Sequence, residues 1–146
     1  MMSIRLPPPV IFLACGMAMW WAPPLYSFPR SEWLIGFLVL FSMVIGVGSL
    51  WQFWQAKTSV DPIRLDRTRH LVVEGVYQFS RNPMYLSLAS LLLAWGLWLG
   101  SVSAVLFWII FVFCIQQWQI KPEEAYLERS FGEKYLNYKH KVRRWL

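Results

Sequence analysis

Two short groups of polar residues bracket a long apolar stretch of this chain. The first runs from Arg81 to Tyr85 and offers a cation, an amide and a phenol, and the second is the carboxylate pair Glu123-Glu124. A carboxylate beside a guanidinium can bind the ammonium or hydroxyl groups of a ligand, or accept a proton from a nucleophile. We therefore expect chemistry wherever these two groups meet.

The stretch between them predicts a membrane hairpin. Residues 82–120, 39 in all, carry no formal charge. As a helix they would span ~58 Å at ~1.5 Å per residue, about twice a ~30 Å hydrocarbon core, so the chain must turn back near its middle. The expected turn is Gly100-Ser101. A hairpin returns its ends to one side of the membrane, which places the two polar groups near each other.

The composition favours a membrane protein over a soluble one. The chain has 146 residues, 57% of them apolar, with 10 Trp and a mean hydropathy of +0.40. Two further charge-free runs, 6–29 and 33–56, are long enough to span. The sequence predicts one all-α domain, a polytopic helix bundle with four spans, a cytoplasmic loop 57–82 and a cytoplasmic amphipathic helical tail 121–146. The spans are expected at about 9–28, 33–56, 83–99 and 102–120, the first with a short regular helix from Val10 to Ala22.

The charge distribution orients this bundle. Basic residues concentrate in the loop 57–81 and in the tail, and only Arg30 falls in the opposite loop. The positive-inside rule then predicts a multi-pass inner-membrane protein whose active site faces the cytoplasm. The net charge of +6 indicates contact with anionic membrane lipids, not nucleic acid. A transporter is disfavoured because no ionisable residue lies within the four runs.

No metal site is expected. The two cysteines, Cys15 and Cys114, lie in apolar segments and suit small buried residues. The two histidines, His70 and His140, are isolated and lack neighbours at ligand spacing.

The ends of the hairpin carry helix-start signals. Asn82 suits an N-cap and Pro83 a first helical position. Pro122 suits the start of another helix, with the two glutamates in its first turn and Gly132 as a left-handed stop.

Glu124 is expected to face inward. It shares a helical face with Leu127 and Phe131, on an apolar stripe that continues through Tyr135, Tyr138 and Val142, whereas Glu123 points away and can be solvated. An inward carboxylate is unfavourable unless a cation meets it. The expected cations are Arg81, Lys121 or a bound cationic ligand.

Two other segments have a structural and a functional interpretation. The loop 57–82 is long for a connector and is interpreted as a lid, with a short extended stretch at 71–73. In the second span, Gly46 and Gly48 favour close helix packing or, alternatively, close approach of the backbone to a ligand.

Taken in order, these segments resemble the integral-membrane methyltransferases grouped with isoprenylcysteine carboxyl methyltransferase and the phospholipid N-methyltransferases. The resemblance covers residues 58–145. Its first motif is Leu71-Val72-x-x-Gly75-x-Tyr77-x-x-x-Arg81-Asn82-Pro83-x-Tyr85. The apolar hairpin and the paired glutamates follow, and the last motif is Leu127-x-x-x-Phe131-Gly132-x-x-Tyr135-x-x-Tyr138-x-x-x-Val142-x-Arg144-Trp145.

The resemblance implies an enzyme that binds S-adenosylmethionine at the cytoplasmic face and takes a lipid-like or prenylated small-molecule substrate from the bilayer. It implies that Glu124 and Glu123 close the cofactor site. On chemical grounds a carboxylate there could take a proton from the nucleophile, or Arg144, Arg143 or Lys141 could instead fix an acidic group of the substrate, so Glu124, Glu123 and Arg144 are the catalytic candidates. The cofactor site would be lined by Tyr77, Arg81, Asn82, Pro83, Tyr85 and Glu124, with Gly46 and Gly48 as a glycine pair similar to one in the phospholipid methyltransferases.

Two positions depart from the family pattern. Ser87 stands where many relatives have glycine, and Lys141 stands where the carboxyl methyltransferases have an arginine, whose fork suits a carboxylate better. The leading expectation is S-adenosylmethionine-dependent methyl transfer resembling isoprenylcysteine carboxyl O-methylation. The alternatives are N-methylation of a phospholipid or other amine, and a non-catalytic protein that binds lipid or a partner.

Overall fold

The chain is helical throughout the part that the structure describes. The computed structural model describes residues 6–56, 73 and 75–145. Among them, the only pairing of strand type is an isolated bridge between Ser27 and Ser101, which confirms the all-α class. A 3₁₀ turn, Gly75–Gln78, precedes the third helix, and a π-helical segment, Gln116–Ile120, joins the fourth to the fifth. The α-helices in chain order are α1 (Pro8–Trp21), α2 (Glu32–Ala56), α3 (Pro83–Leu99), α4 (Val102–Ile115), α5 (Lys121–Phe131) and α6 (Glu133–Lys141).

Two helical stretches are long and apolar enough to cross a membrane. They are Glu32–Gln52 within α2, and Val102–Phe131, which runs through α4 and α5. The helices α1 and α3 are also apolar but have 14 and 17 residues, fewer than the ~20 that a ~30 Å core requires. The four-span arrangement therefore stays a prediction. Of the predicted lid, residues 57–72 and 74 lie outside the described residues, and so does all of the extended stretch at 71–73 except Val73.

The hairpin turns where the sequence predicts. α3 ends at Leu99, Gly100 has the left-handed conformation (φ 70°, ψ 30°), and α4 begins at Val102. The linker between α1 and α2 holds the turn in place, because Phe28 N–H donates to Gly100 O at 2.9 Å and Val102 N–H donates to Leu25 O at 3.0 Å. A side chain at position 100 would be strained and would lie 3.1 Å from the Phe28 carbonyl oxygen.

A helix does begin at Pro122, since α5 starts at Lys121 with Pro122 in its first positions, but it is not separate from α4, which continues into it. A single helix runs from Val102 to Phe131. Pro122 has no N–H for a hydrogen bond to the preceding turn, and the wide π turn at Gln116–Ile120 lies directly before it. Glu123 and Glu124 thus lie in the first turn of α5, as predicted, although the π segment joins this turn to α4 instead of leaving it free.

The stop at Gly132 is present, with a different backbone conformation from the one expected. Its φ of 58° is positive, but its ψ of −127° is not that of a left-handed helical cap. The chain bends there into α6, whose Tyr135 and Tyr138 are buried together with Val142 after the helix. This bend returns the C-terminal tail to the start of α3.

Candidate active site

Three segments that are distant in sequence meet at the start of α3. Arg81 and Asn82 directly precede that helix, Glu124 lies on α5, and Arg144 lies in the tail after α6. The α3–α4 hairpin returns α5 to this end of the bundle, and the bend at Gly132 returns the tail. We call Arg81, Glu124 and Arg144 the arginine–glutamate cluster.

Two guanidinium groups hold the carboxylate of Glu124. Arg144 donates from Nε to Oε1 and from Nη2 to Oε2, both at 2.9 Å, and Nη1 of Arg81 lies 3.2 Å from Oε1. The side chains of Arg81 and Glu124 are only 8% and 9% exposed, whereas that of Arg144 is 30% exposed. The hydrogen bonds to Glu124 favour the charged form of Arg144 and raise its pKa.

The inward orientation predicted for Glu124 agrees with this geometry. Of its expected partners, Arg81 is in contact, whereas Lys121 is exposed. Arg144 was expected to face the substrate, and the structure instead pairs it with Glu124 through both carboxylate oxygens. Twenty residues separate these two, so no helical spacing in the sequence signals the contact.

The backbone of the tail is fixed to the start of α3. Arg81 N–H donates to Arg143 O at 3.0 Å, and the side-chain amide of Asn82 donates to Arg144 O at 3.0 Å. Asn82 occupies the N-cap position, but its side chain does not cap the helix. Instead, the hydroxyl of Ser80 accepts from Asn82 N–H at 3.2 Å, a contact that the sequence analysis missed. Asn82 therefore positions Arg144 through its backbone.

Glu123 lies beside the cluster and binds Tyr85. Glu123 was expected to point away from the apolar stripe, where it can be solvated; it is half-buried, and the Tyr85 hydroxyl donates to its Oε1. Tyr85 lies on the first turn of α3 and is itself 5% exposed. Pro83 is buried at the first position of the same helix, as predicted. Both glutamates thus contact the Arg81-to-Tyr85 group: Glu124 contacts Arg81 at its start, and Glu123 contacts Tyr85 at its end.

Three buried tyrosines pack beside the cluster. The Tyr138 hydroxyl donates to Tyr77 O at 2.7 Å and contacts Ser80 O at 3.4 Å. The Tyr135 hydroxyl accepts from Nη1 of Arg81 at 3.3 Å. Burial raises the pKa of all three phenols, most strongly for Tyr77 and Tyr138, so they stay protonated above the ordinary tyrosine pKa of about 10.

The glycines at positions 46 and 48 lie where α2 packs closely on its neighbours. A Cβ at Gly46 would lie 2.7 Å from Ser87 Oγ of α3, and one at Gly48 would lie 2.9 Å from Val76 Cγ1 of the 3₁₀ turn. The Ser87 hydroxyl donates to Ser42 O at 2.8 Å, and the Ser42 hydroxyl donates to Ser87 O at 2.7 Å. These contacts account for the glycine pair by packing, and a role in cofactor binding stays a prediction.

The residues that the structure describes contain no group of three or more His, Cys, Asp or Glu side chains suited to a metal ion. What converges instead is a carboxylate with two guanidiniums, a second carboxylate with a phenol, and buried tyrosines. Such a set can bind a ligand that carries acidic and basic groups together. The fold and the site therefore define an all-helical membrane protein with a polar, largely buried site at one end of its apolar hairpin.

The chain belongs to the phospholipid methyltransferase family, whose model matches residues 32–134. This range contains the Arg81-to-Tyr85 group and both glutamates, while Arg144 lies beyond it. The chain is therefore identified as a methyltransferase-family membrane protein.

Three relatives match with different coverage. An uncharacterised protein of Haemophilus influenzae is 60% identical over 63 residues, which are 43% of this chain and all of that protein. Protein-S-isoprenylcysteine O-methyltransferase of Schizosaccharomyces pombe is 27% identical over 74% of this chain and 45% of its own length. Protein-S-isoprenylcysteine O-methyltransferase B of Arabidopsis thaliana is 28% identical over 84% of this chain and 58% of its own length. The chain thus spans about half the length of the two named methyltransferases.

Proposed function

We propose that this chain transfers a methyl group from S-adenosylmethionine to a hydrophobic or amphiphilic acceptor, at the end of the bundle that holds the arginine–glutamate cluster. The observation that carries the proposal is the convergence of this cluster with Tyr85 and Glu123 where the two ends of the apolar hairpin meet. The concentration of basic residues in the sequence segments 57–81 and 121–146 supports a cytoplasmic orientation of this site.

The residues present fit S-adenosylmethionine. Two guanidiniums share the single carboxylate of Glu124, so the cluster has one positive charge in excess. Nε of Arg81 is buried and has no hydrogen-bond partner among the residues described, which suits a carboxylate such as that of the cofactor's methionine portion. Glu123 supplies a carboxylate for an ammonium or ribose hydroxyl, and Tyr77, Arg81, Asn82, Pro83 and Tyr85 would surround the group.

The bound cofactor would supply an electrophilic methyl group on a sulfonium. The task of the protein is then to align the acceptor and exclude water. The burial of Tyr77, Asn82 and Glu124 supports a site with little water. The hydrogen bonds from Asn82 and Arg81 to the tail would hold that site closed.

The two carboxylates suit different tasks. Both oxygens of Glu124 are occupied by guanidiniums, so Glu124 positions Arg81 and Arg144. Glu123 is more exposed and is the better candidate to accept a proton from the acceptor. A carboxylate acceptor is already deprotonated at neutral pH and needs no base, whereas an ammonium acceptor must lose a proton first.

This difference distinguishes the two acceptor classes. The names of the two relatives favour a lipidated carboxylate, and the family description favours a phospholipid amine. The product formed with S-adenosylmethionine that carries a radiolabelled methyl group separates them. If base releases the label as methanol, the product is a methyl ester; if the label stays in the lipid after base treatment, the product is a methylated amine. With an amine acceptor, Glu123→Gln should lower kcat and remove the dependence of kcat on the ionisation of this carboxylate, whereas ester formation should be affected far less.

The direct test is equilibrium binding of radiolabelled S-adenosylmethionine to the purified protein. We expect saturable binding that Glu124→Gln and Asn82→Ala weaken. Glu128→Gln is the matched control, since Glu128 lies one turn along the same helix and pairs with the exposed Lys139. Unfolding curves show whether each variant is folded. Absence of binding by folded wild-type protein would overturn the proposal and favour a non-catalytic protein that binds lipid or a partner. Equal losses of S-adenosylmethionine affinity in the Glu124 and Glu128 variants would mean that the arginine–glutamate cluster is not part of the binding site.

A further inference from the structure

A large apolar groove lies at the end of the bundle opposite the arginine–glutamate cluster. It has a volume of about 830 Å³ and lies open between α1, α2 and the second half of α3. All its lining residues are apolar or aromatic, and they include Gly16, Val39, Leu91 and Ala94. Its volume falls within the roughly 300–1,000 Å³ typical of ligand sites.

Three stacked indoles form one wall of the groove. Trp20 stacks on Trp95 with ring centroids 5.8 Å apart, and Trp95 stacks on Trp98 at 5.3 Å. The indole N–H of Trp95 donates to Gly16 O at 3.2 Å, which fixes the middle ring and ties α3 to α1. We call these three residues the tryptophan ladder. A rigid, apolar wall of this kind suits a flexible hydrocarbon chain.

A cation stands at the end of the ladder. The guanidinium carbon of Arg30 lies 4.7 Å from the centre of the Trp98 ring. Arg30 is exposed and has no carboxylate partner among the described residues, so its hydrogen-bond donors remain available to an outside group. A guanidinium binds phosphate oxygens well, because its fork of N–H groups matches them.

The groove is distant from the proposed methyl-transfer site. Its lining on α3 begins at Leu91 and reaches Trp98, whereas the cluster contacts the residues before Pro83. At ~1.5 Å per residue, Trp98 lies about 22 Å along the helix from its start. A lipid whose headgroup is bound at Arg30 therefore holds that headgroup out of reach of the cluster.

We propose that this groove binds one acyl chain of an anionic membrane phospholipid, with the phosphate of that lipid on Arg30. The bilayer supplies such chains directly to an open apolar groove. The unpaired guanidinium at its end favours a phosphate whose charge is not neutralised by a cation in the same headgroup, as in phosphatidylglycerol but not in phosphatidylcholine. The inference is independent of methyl transfer, because it involves neither the cofactor nor the cluster.

Native mass spectrometry of the delipidated protein tests this proposal. Phosphatidylglycerol and phosphatidylcholine with identical acyl chains are titrated into wild type, Arg30→Ala and Arg30→Lys. We expect one phosphatidylglycerol to bind ahead of all others, with a preference over phosphatidylcholine of about five-fold, near the most that an exposed ion pair supplies. Arg30→Ala should abolish the preference, and Arg30→Lys should retain most of it.

A second pair of variants tests the groove itself. Leu91→Trp fills the groove and should weaken the first binding event for both lipids about ten-fold, by loss of the chain's contacts. Leu106→Trp adds the same indole at an exposed position of α4 outside the groove and should change nothing. Equal binding of both lipids to wild type, an unchanged preference in Arg30→Ala, or unchanged binding in Leu91→Trp would each overturn the proposal. So would displacement of the lipid by a prenylcysteine, which would assign the groove to the methyl acceptor.

Discussion

The two ends of the α3–α4 hairpin hold arginine in opposite ways. At the start of α3, Arg81 is buried and paired with Glu124, which also binds Arg144. At the other end, Arg30 is exposed on the face of Trp98. Buried charges depend on their protein partners, whereas an exposed guanidinium on an aromatic ring remains available to an outside ligand. The difference separates a built polar site from a surface that meets lipid.

The cluster should be the most sensitive part of the molecule. Glu124→Gln leaves two guanidiniums in a buried site without their carboxylate, and breaking such a pair destabilises proteins by about 3–5 kcal/mol. We expect a loss of that size in the free energy of unfolding, measured by denaturant titration in detergent. Glu128→Gln removes an exposed partner of Lys139 and should change the stability by only about 0–1 kcal/mol. Equal effects of the two substitutions would contradict the burial seen at the cluster.

Substitutions that disturb the packing of α2 on α3 should have the next largest effect on the free energy of unfolding. Gly46→Ala places a methyl group 2.7 Å from Ser87 Oγ, and overpacking of this kind destabilises by about 1–3 kcal/mol. Ser87→Ala removes that oxygen and leaves the Cβ atoms 3.5 Å apart, an ordinary contact. The double variant should therefore lose less stability than the sum of the two single ones.

The same double variant decides what the glycine pair does. If Gly46 serves packing alone, S-adenosylmethionine binding should recover together with stability. If the backbone at this position approaches the cofactor, stability should recover and binding should not. Lack of coupling between the two substitutions in the unfolding measurements would contradict the close contact itself.

The hydroxyl of Tyr138 should contribute less to the free energy of unfolding. Tyr138→Phe removes one donor to the carbonyl oxygens of Tyr77 and Ser80, and the loss should be about 1–2 kcal/mol at neutral pH because these acceptors are buried. Unfolding at constant detergent measures it. A change near zero would mean that water reaches the carbonyl groups.

Alkaline pH provides a second measurement on this pair of proteins. Burial raises the pKa of Tyr138 above its ordinary value of about 10, so the unfolded chain loses this proton first as the pH rises. The contribution of the phenol is fully present below pH ~10 and is lost progressively above it. Wild-type stability should therefore fall more steeply above pH 10 than that of Tyr138→Phe, and parallel curves would contradict the raised pKa.

Local signals in the sequence located some of these contacts and could not locate others. The charge-free run and Gly100 predicted the turn, and the spacing of Glu124 with Leu127 and Phe131 predicted its inward face. The pairing of Arg144 with Glu124 depends on the bend at Gly132 and on the docking of the tail, which no periodicity encodes. The continuous helix through Pro122 required a π turn that the sequence does not mark.

The smallest effect on the free energy of unfolding is expected where Arg30 contacts the tryptophan ladder. Without added lipid, Arg30→Ala removes an exposed cation–π contact worth about 0.5–1 kcal/mol, so unfolding should change by no more than this. A larger loss would mean that Arg30 is a structural residue like Arg81. Phosphatidylglycerol should stabilise wild type more than the alanine variant, by up to about 1 kcal/mol, since a ligand that binds only the folded state adds to its stability by mass action. Equal stabilisation of both proteins would mean that the lipid does not contact Arg30. Arg81 and Arg30 would then differ in burial, but neither would be shown to bind an external ligand.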